Sequence, residues 1–110
     1  MVTAKKVYYT VCCEAIFNRH QDVFRTALVP FGEGDARKPV IIVEPKQGKM
    51  PLNKADKKRF ISELLELGKS SDLTADITEI LFHESFPVDI RHNAKIFREK
   101  LAVWATDNLK

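Results

Sequence analysis

The sequence predicts an α+β fold in which a small mixed sheet is layered with helices in the order β-α-β-β-α-β-α. An uninterrupted apolar run at 40–44 (VIIVE) has the length of a central strand that is buried on both faces. A second run, after Asn53, has the period of an amphipathic helix. The 110 residues, 45% hydrophobic and 30% charged, are expected to form a single domain over residues 1–110.

The first half of the chain predicts three strands and one helix. Residues 6–11 (KVYYTV) are aromatic and β-branched and predict a strand, and residues 14–20 (EAIFNRH) predict a short helix. Residues 23–29 predict the second strand, and residues 30–38 a turn-rich loop. Pro39 opens the central strand and Pro45 ends it.

The second half begins with the best-defined helix. Asn53 is the predicted N-cap, because an acidic residue, Asp56, follows three positions later. Gly68 is the expected C-terminal glycine of this helix. The apolar residues at helical spacing between them are Phe60, Ile61, Leu64, Leu65 and Leu67.

The remaining residues predict a strand, a loop and a last helix. Residues 77–83 (ITEILFH) have strand composition, and Pro87 is expected to close that strand. Residues 86–95 are loop-like, with Asn93 as the predicted N-cap of the last helix. That helix would carry Ile96, Phe97, Leu101, Val103 and Trp104.

Composition excludes some classes of protein. Eighteen basic and 15 acidic residues leave a net charge of +3, which names no partner by itself. No apolar run reaches the roughly 18 residues of a membrane span, and the N-terminus has no apolar leader, so a cytoplasmic protein is expected. The adjacent Cys12 and Cys13 could pair only with strain, and His20 and His83 have no partners at metal-ligand spacing. No metal site is predicted.

Two basic clusters could hold anions. The first surrounds the predicted start of the last helix, where backbone N–H groups and the helix dipole favour phosphate or carboxylate. The second could grip the phosphates of CoA or of a nucleic acid. Either cluster is equally typical of a solvated helix face. The first comprises Arg91, His92, Lys95, Arg98 and Lys100, and the second Lys46, Lys49, Lys54, Lys57, Lys58 and Arg59.

Three stretches resemble the adenylate-forming (AMP-binding) superfamily. Residues 87–101 (PVDIRHNAKIFREKL) resemble its final signature P-R-T-x-x-G-K-x-x-R, with the lysine at Lys95. Residues 8–17 (YYTVCCEAIF) are similar to its v-x-P-x-E-I-E stretch, and residues 20–29 (HQDVFRTALV) to the following h-P-x-V-x-x-A-x-V pattern. The greatest similarity is to the fatty-acyl-CoA ligase-like branch, which includes the β-lactone synthetases of the olefin pathway. Ala94 and Cys12 replace the usual glycine and proline.

The resemblance implies the mobile C-terminal domain of an acyl-adenylating ligase, with the fold of the acyl-CoA synthetase C-terminal domain. Its large N-terminal nucleotide-binding domain would lie in cis or in a partner chain. ATP, with Mg²⁺, and a fatty acid would give an acyl-adenylate, and CoA would then accept the acyl group. Lys95 would be the catalytic lysine, Arg91, His92 and Arg98 would assist or bind the anion, and Glu14 would have a structural role at a helix start.

The resemblance also implies that the chain by itself holds no tightly bound cofactor and does not turn over ATP. The acceptor is open between CoA, a carrier-protein thiol and an internal hydroxyl that closes a β-lactone. A stand-alone regulatory or binding module of the same fold is an alternative. Nucleic-acid binding is disfavoured, since Tyr8, Tyr9 and Trp104 do not interleave with the basic clusters as stacking platforms would.

Overall fold

A three-stranded mixed sheet with three helices forms the fold, which confirms the predicted α+β class. The computed structural model describes residues 6–32, 37–84, 86, 88–89, 95–96 and 98–109. The helices are α1 (Thr10–Phe17), α2 (Lys54–Lys69) and α3 (Arg98–Leu109). The strands are β1 (Val23–Phe31), β2 (Lys38–Pro45), β3 (Glu79–Phe82), β4 (Val88–Asp89) and β5 (Lys95–Ile96).

The apolar run at 40–43 lies at the centre of the sheet, as predicted. β2 is antiparallel to β1, with Ala27 opposite Ile42, and parallel to β3, with Ile41 opposite Ile80. The parallel pair is joined through α2, because parallel neighbours need a crossover connection. β2 therefore has a hydrogen-bonded neighbour at each of its two edges.

Alternating side chains of β2 belong to two cores on opposite faces of the sheet. Ile41 and Val43 pack with residues of α1 and α2, whereas Val40 and Ile42 pack with residues of α3. The helix residues buried in the first core are Cys13, Phe17, Phe60 and Leu64, and those in the second are Leu101 and Ala105. The three layers are thus α1 with α2, the sheet, and α3.

The start of α2 is confirmed, but the predicted role of Gly68 is wrong. The Asn53 side chain accepts a hydrogen bond from the Asp56 backbone N–H at 2.9 Å, as an N-cap does. The helix continues through Gly68 to Lys69, and Ser70 is the C-cap in a right-handed conformation. Gly68 is buried against the Phe17 ring, so its lack of a side chain serves packing rather than helix termination.

The predicted first strand is wrong, and the first helix begins earlier than predicted. Val7 makes only an isolated bridge, and α1 starts at Thr10 and ends at Phe17, not at His20. Cys13 and Phe17, four residues apart on one helix face, are fully buried. Burial of this face outweighs the local β-propensity of residues 8–11.

The predicted loop at 86–95 contains a small hairpin, which corrects the sequence interpretation. β4 and β5 pair antiparallel, with Val88 opposite Ile96 and Asp89 opposite Lys95. Because β5 precedes α3, Asn93 is not the N-cap of that helix. Asn93 and Pro87 lie outside the described residues. Two-residue strands are too short to show a period in the sequence.

Both cysteines are free thiols, Cys12 exposed and Cys13 buried. Burial raises the pKa of the Cys13 thiol. None of the helices in the described part of the chain is long and apolar enough to cross a membrane.

Candidate functional site

The predicted catalytic lysine lies in the hairpin between β3 and α3. Lys95 is the first residue of β5 and stands opposite Asp89 of β4. Arg91 and His92, predicted to act beside it, lie outside the described residues. Among the described residues, Phe86 before the hairpin and Arg98 after it make contacts with the core.

Arg98 and Glu14 form the contact at the C-terminal end. Arg98 donates through Nη2 to Glu14 Oε1 at 2.6 Å and through Nε to Oε2 at 3.0 Å. These hydrogen bonds raise the pKa of Arg98 above its usual value. A bidentate guanidinium–carboxylate pair fixes orientation as well as distance. The ion pair therefore fixes the start of α3, three residues after Lys95.

Glu14 connects this ion pair to the sheet. Its Oε2 accepts a hydrogen bond from the Leu28 backbone N–H of β1 at 2.7 Å, and the residue is buried. Its place as the fifth residue of α1 corrects the expected position at a helix start. Glu14 joins α1, β1 and α3 through one carboxylate.

Glu44, which the sequence interpretation missed, forms the contact at the N-terminal end. Its buried carboxylate accepts the Phe86 backbone N–H at 2.6 Å and pairs with Arg25 at 2.9 Å. Arg25 and Glu44 are partners in the register of β1 and β2. The available signal was an acidic residue ending a buried apolar strand, where a carboxylate needs partners.

The lysine-bearing segment is thus tied at both ends to buried carboxylates of the core. Phe86 is tied to Glu44, and Arg98 to Glu14. A short segment held at both ends can present a side chain to a neighbouring domain or molecule in a fixed orientation. An ammonium group on such a segment can neutralise negative charge when two anionic reactants are brought together.

Two curated proteins are similar in sequence to nearly the whole chain. The chain is 46% identical over 103 residues to an olefin beta-lactone synthetase of Xanthomonas campestris pv. campestris, covering 94% of the chain and 18% of that protein. It is 42% identical over 108 residues to an olefin beta-lactone synthetase of Stenotrophomonas maltophilia, covering 98% of the chain and 19% of that protein. The chain is thus similar over nearly its whole length to proteins named olefin beta-lactone synthetases. It spans about a fifth of the length of these relatives.

Solved structures show that the fold matches that of the acyl-CoA synthetase C-terminal domain. A fatty acyl CoA synthetase of Mycobacterium tuberculosis matches 98% of the chain with a TM-score of 0.72 at 14% identity. A benzoate CoA ligase of Burkholderia xenovorans LB400 matches 84% with a TM-score of 0.67 at 23% identity. The chain covers 20% and 18% of these two structures. No family model matches the chain.

The two histidines that the structure describes, His20 and His83, pack against neighbouring side chains. His20 Nε2 is 2.8 Å from Glu63 Oε1, and the His20 ring stacks on Phe60 at 4.7 Å. The hydrogen bond with His20 lowers the pKa of Glu63. His83 makes edge contacts with Trp104 and Phe86. Over the described residues, no three His, Cys, Asp or Glu side chains group as metal ligands would.

The second basic cluster of the domain is exposed. It follows β2 and continues into the first turns of α2. Arg59 pairs with Glu63 at 3.4 Å, across one helical turn. The five lysines have no acidic partner among the residues that the structure describes.

Proposed function

We propose that this chain supplies the catalytic lysine, Lys95, of an ATP-dependent, AMP-forming ligase. It would act with a large nucleotide-binding domain, either in the same chain or in a partner chain. The supporting observation is the hairpin that carries Lys95 and is tied to the core through Glu44 and Glu14. In the superfamily signature, Lys95 occupies the position of the lysine.

The reaction explains why a lysine is needed. A carboxylate oxygen of the acid attacks the α-phosphorus of ATP, the bond to the β-phosphate oxygen breaks, and pyrophosphate leaves with that electron pair. Two anions approach each other, and negative charge grows on the α–β bridging oxygen, which leaves with pyrophosphate. The ammonium group of Lys95 would neutralise this charge, while ATP and Mg²⁺ would be held by the large domain.

Arg98 is proposed as a positioning residue. Its Nε and Nη2 are both engaged by Glu14, so its described contacts hold the hairpin. Arg91 and His92 stay predictions as groups that assist Lys95 or bind the anion. Glu14 is proposed to have a structural role, because its carboxylate binds both Arg98 and the Leu28 backbone N–H.

For the acyl acceptor, the relatives favour an internal hydroxyl. Both are named olefin beta-lactone synthetases and match nearly the whole chain. The β-hydroxyl oxygen of a hydroxy fatty acid would bond to the acyl carbon as the carbon–phosphate oxygen bond breaks. AMP leaves, and the hydroxyl proton passes to solvent. Thioester formation with CoA is the second candidate, favoured by the fold likeness to CoA ligases.

A chimera tests both parts of the proposal. The matching C-terminal segment of the Xanthomonas campestris relative is replaced by this chain, and pyrophosphate release is measured with ATP and a β-hydroxy fatty acid. We expect activity that falls roughly 10²–10³-fold in Lys95→Ala, as for loss of one transition-state donor. Lys69→Ala, at the end of α2, is the matched control and should retain activity.

Each result bears on a separate part of the proposal. A Lys95→Ala chimera as fast as the control would contradict the catalytic role of Lys95. A β-lactone formed without CoA supports the internal hydroxyl, whereas a product only with CoA supports the thioester. Pyrophosphate release by the 110-residue chain alone would contradict the need for a large domain.

A further inference from the structure

The segment 46–59 concentrates the positive charge of the chain. It contains six basic residues and one acidic residue, while the whole chain contains 18 and 15, so the rest of the chain is net acidic. All six basic residues are exposed. Among the described residues, only Arg59 of these six has an ion-pair partner. The positive charge is therefore local and available to an external anion.

An apolar side chain projects from the same segment. Leu52 is 90% exposed, the highest exposure among the large apolar residues of the described chain. It lies between Lys49 and Lys54 in sequence, just before α2 begins. Exposing a leucine among lysines has no stabilising effect on the fold, because neither its methyl groups nor the charges gain a partner.

Two shallow clefts flank this projecting segment. Met50 lines both of them, one together with Phe24 and Lys46, the other together with Lys57 and Trp104. Phe24 is 58% exposed. Apolar and basic side chains thus line both clefts, and Glu44 and Glu84 add acidic groups to the first of them. We call residues 46–58 together with Phe24 the lysine–leucine surface.

We propose that the lysine–leucine surface docks on an anionic lipid bilayer, with Leu52 entering the interfacial region and the lysines contacting lipid phosphates. Clusters of four to eight basic residues beside apolar side chains are typical of peripheral attachment to acidic membranes. Lysine is suited to this place because its long apolar stem reaches over the interface while the ammonium stays among the headgroups.

A nucleic acid fits this surface less well. The lysine–leucine surface carries one aromatic side chain, Phe24, whereas nucleic-acid surfaces that work by stacking use several aromatic rings for successive bases. An exposed leucine also gains nothing from a phosphate backbone, whereas it gains burial at a bilayer. The proposal goes beyond the proposed ligase function, and its test measures binding without any turnover.

Vesicle flotation of the 110-residue chain tests the proposal. Vesicles of phosphatidylcholine with about 30% phosphatidylglycerol are compared with pure phosphatidylcholine, at low and at high salt. We expect binding only to the acidic vesicles, and its loss at high salt. Equal binding to both kinds of vesicle, or binding to neither, would overturn the proposal.

Two pairs of variants separate the two components. Leu52→Gln should weaken binding several-fold by removing the inserted side chain, while Val11→Gln, which removes another exposed apolar residue on α1, should leave it unchanged. Lys57→Gln should weaken binding by roughly fivefold, and Lys69→Gln, at the other end of α2, should not. Both target residues are exposed, so folding is expected to persist and is checked by circular dichroism.

Binding of labelled duplex DNA to the chain is measured to test the alternative ligand. If Leu52→Gln binds acidic vesicles like the wild type, and labelled duplex DNA binds the chain as tightly as the vesicles do, the surface is a general polyanion site. The bilayer proposal is then wrong. Weaker binding to DNA, together with the Leu52 effect on vesicles, supports it.

Discussion

Arg98 and Glu14, 84 positions apart in sequence, form a two-point ion pair at the base of the lysine-bearing hairpin. Glu14 is buried, whereas the Arg98 side chain is about a third exposed. Water therefore screens part of the attraction, and the directed hydrogen bonds carry much of its value. The pair joins the first and last helices across β1.

Removal of this ion pair should destabilise the chain. Glu14→Gln keeps an acceptor for the Leu28 N–H but leaves Arg98 without a counter-charge. We expect a loss of about 1–3 kcal/mol in the free energy of unfolding, measured in urea. Glu66→Gln, on the exposed side of α2, is the control and should change stability by less than about 0.5 kcal/mol.

A double-mutant cycle with Arg98→Gln isolates the pair itself. If the two residues act through each other, the double variant loses less stability than the sum of the single losses. Strictly additive losses would contradict a direct interaction.

The Glu44–Phe86 contact should be visible in hydrogen exchange. Glu44→Gln retains an oxygen that can accept the Phe86 N–H, whereas Glu44→Leu does not. We expect the Phe86 amide to exchange slowly in the wild type, somewhat faster in Glu44→Gln and much faster in Glu44→Leu, measured by NMR. Equal protection in all three proteins would show that the carboxylate does not hold the start of the hairpin.

A methyl group at Gly68 should be unfavourable despite its position in a helix. At an exposed position inside a helix, replacing glycine by alanine raises the free energy of unfolding by about 1 kcal/mol. Here the added Cβ would lie 3.1 Å from Phe17 Cζ and 3.3 Å from the Thr74 carbonyl oxygen. Phe17 is fully buried and the oxygen is backbone, so neither can move away freely. Thermal unfolding should show Gly68→Ala to be destabilised by about 1 kcal/mol.

Ser62→Ala is the control for the helix itself. Ser62 is an exposed residue of α2, and alanine there should be neutral or slightly stabilising. A stabilised Gly68→Ala variant would mean that the packing around Phe17 can relax.

The sequence predicted those parts of the fold that depend on local pattern. The β2 run is apolar because both faces are buried, and α2 has both a cap and a period. The prediction of a strand at residues 6–11 was wrong because burial of Cys13 and Phe17 on one helix face overrides the strand propensity around Val11. For the site, the family signature predicts Lys95 as the catalytic residue, whereas the Glu44 contact depends on tertiary proximity that no local pattern contains.

The two adjacent cysteines should differ in reactivity. Cys12 is exposed, while Cys13 is fully buried and burial raises its thiol pKa, so less thiolate is present at a given pH. A thiol reagent should therefore modify one cysteine quickly in the native chain and both in urea. Cys12→Ser should abolish the fast phase, and its persistence in that variant would show that Cys13 is accessible.

Tyr8 and Tyr9 should differ in their effect on stability at alkaline pH. The Tyr8 hydroxyl donates to Asp76 Oδ2 at 2.7 Å, and Tyr9 is 61% exposed. Burial and then the bond to Asp76 raise the pKa of Tyr8 from 10.0 to about 12. Burial acts to raise the pKa of Asp76 as well, but hydrogen bonds from Tyr8 and Lys6 outweigh it and the pKa falls.

Because the pKa of Tyr8 is higher in the folded state, its contribution is complete below pH 10.0 and is lost as pH rises to about 12. Tyr8→Phe should thus be less stable than the wild type at neutral pH, by about 1 kcal/mol for one hydrogen bond. The difference in the free energy of unfolding should shrink across that alkaline window, since a phenolate has no proton to donate.

Urea unfolding of the wild type and Tyr8→Phe at a series of pH values checks this expectation. Tyr9→Phe, next to it, removes an exposed hydroxyl and is the control for the substitution itself at neutral pH. A Tyr8→Phe difference that stays constant into the alkaline range would contradict the hydrogen bond to Asp76.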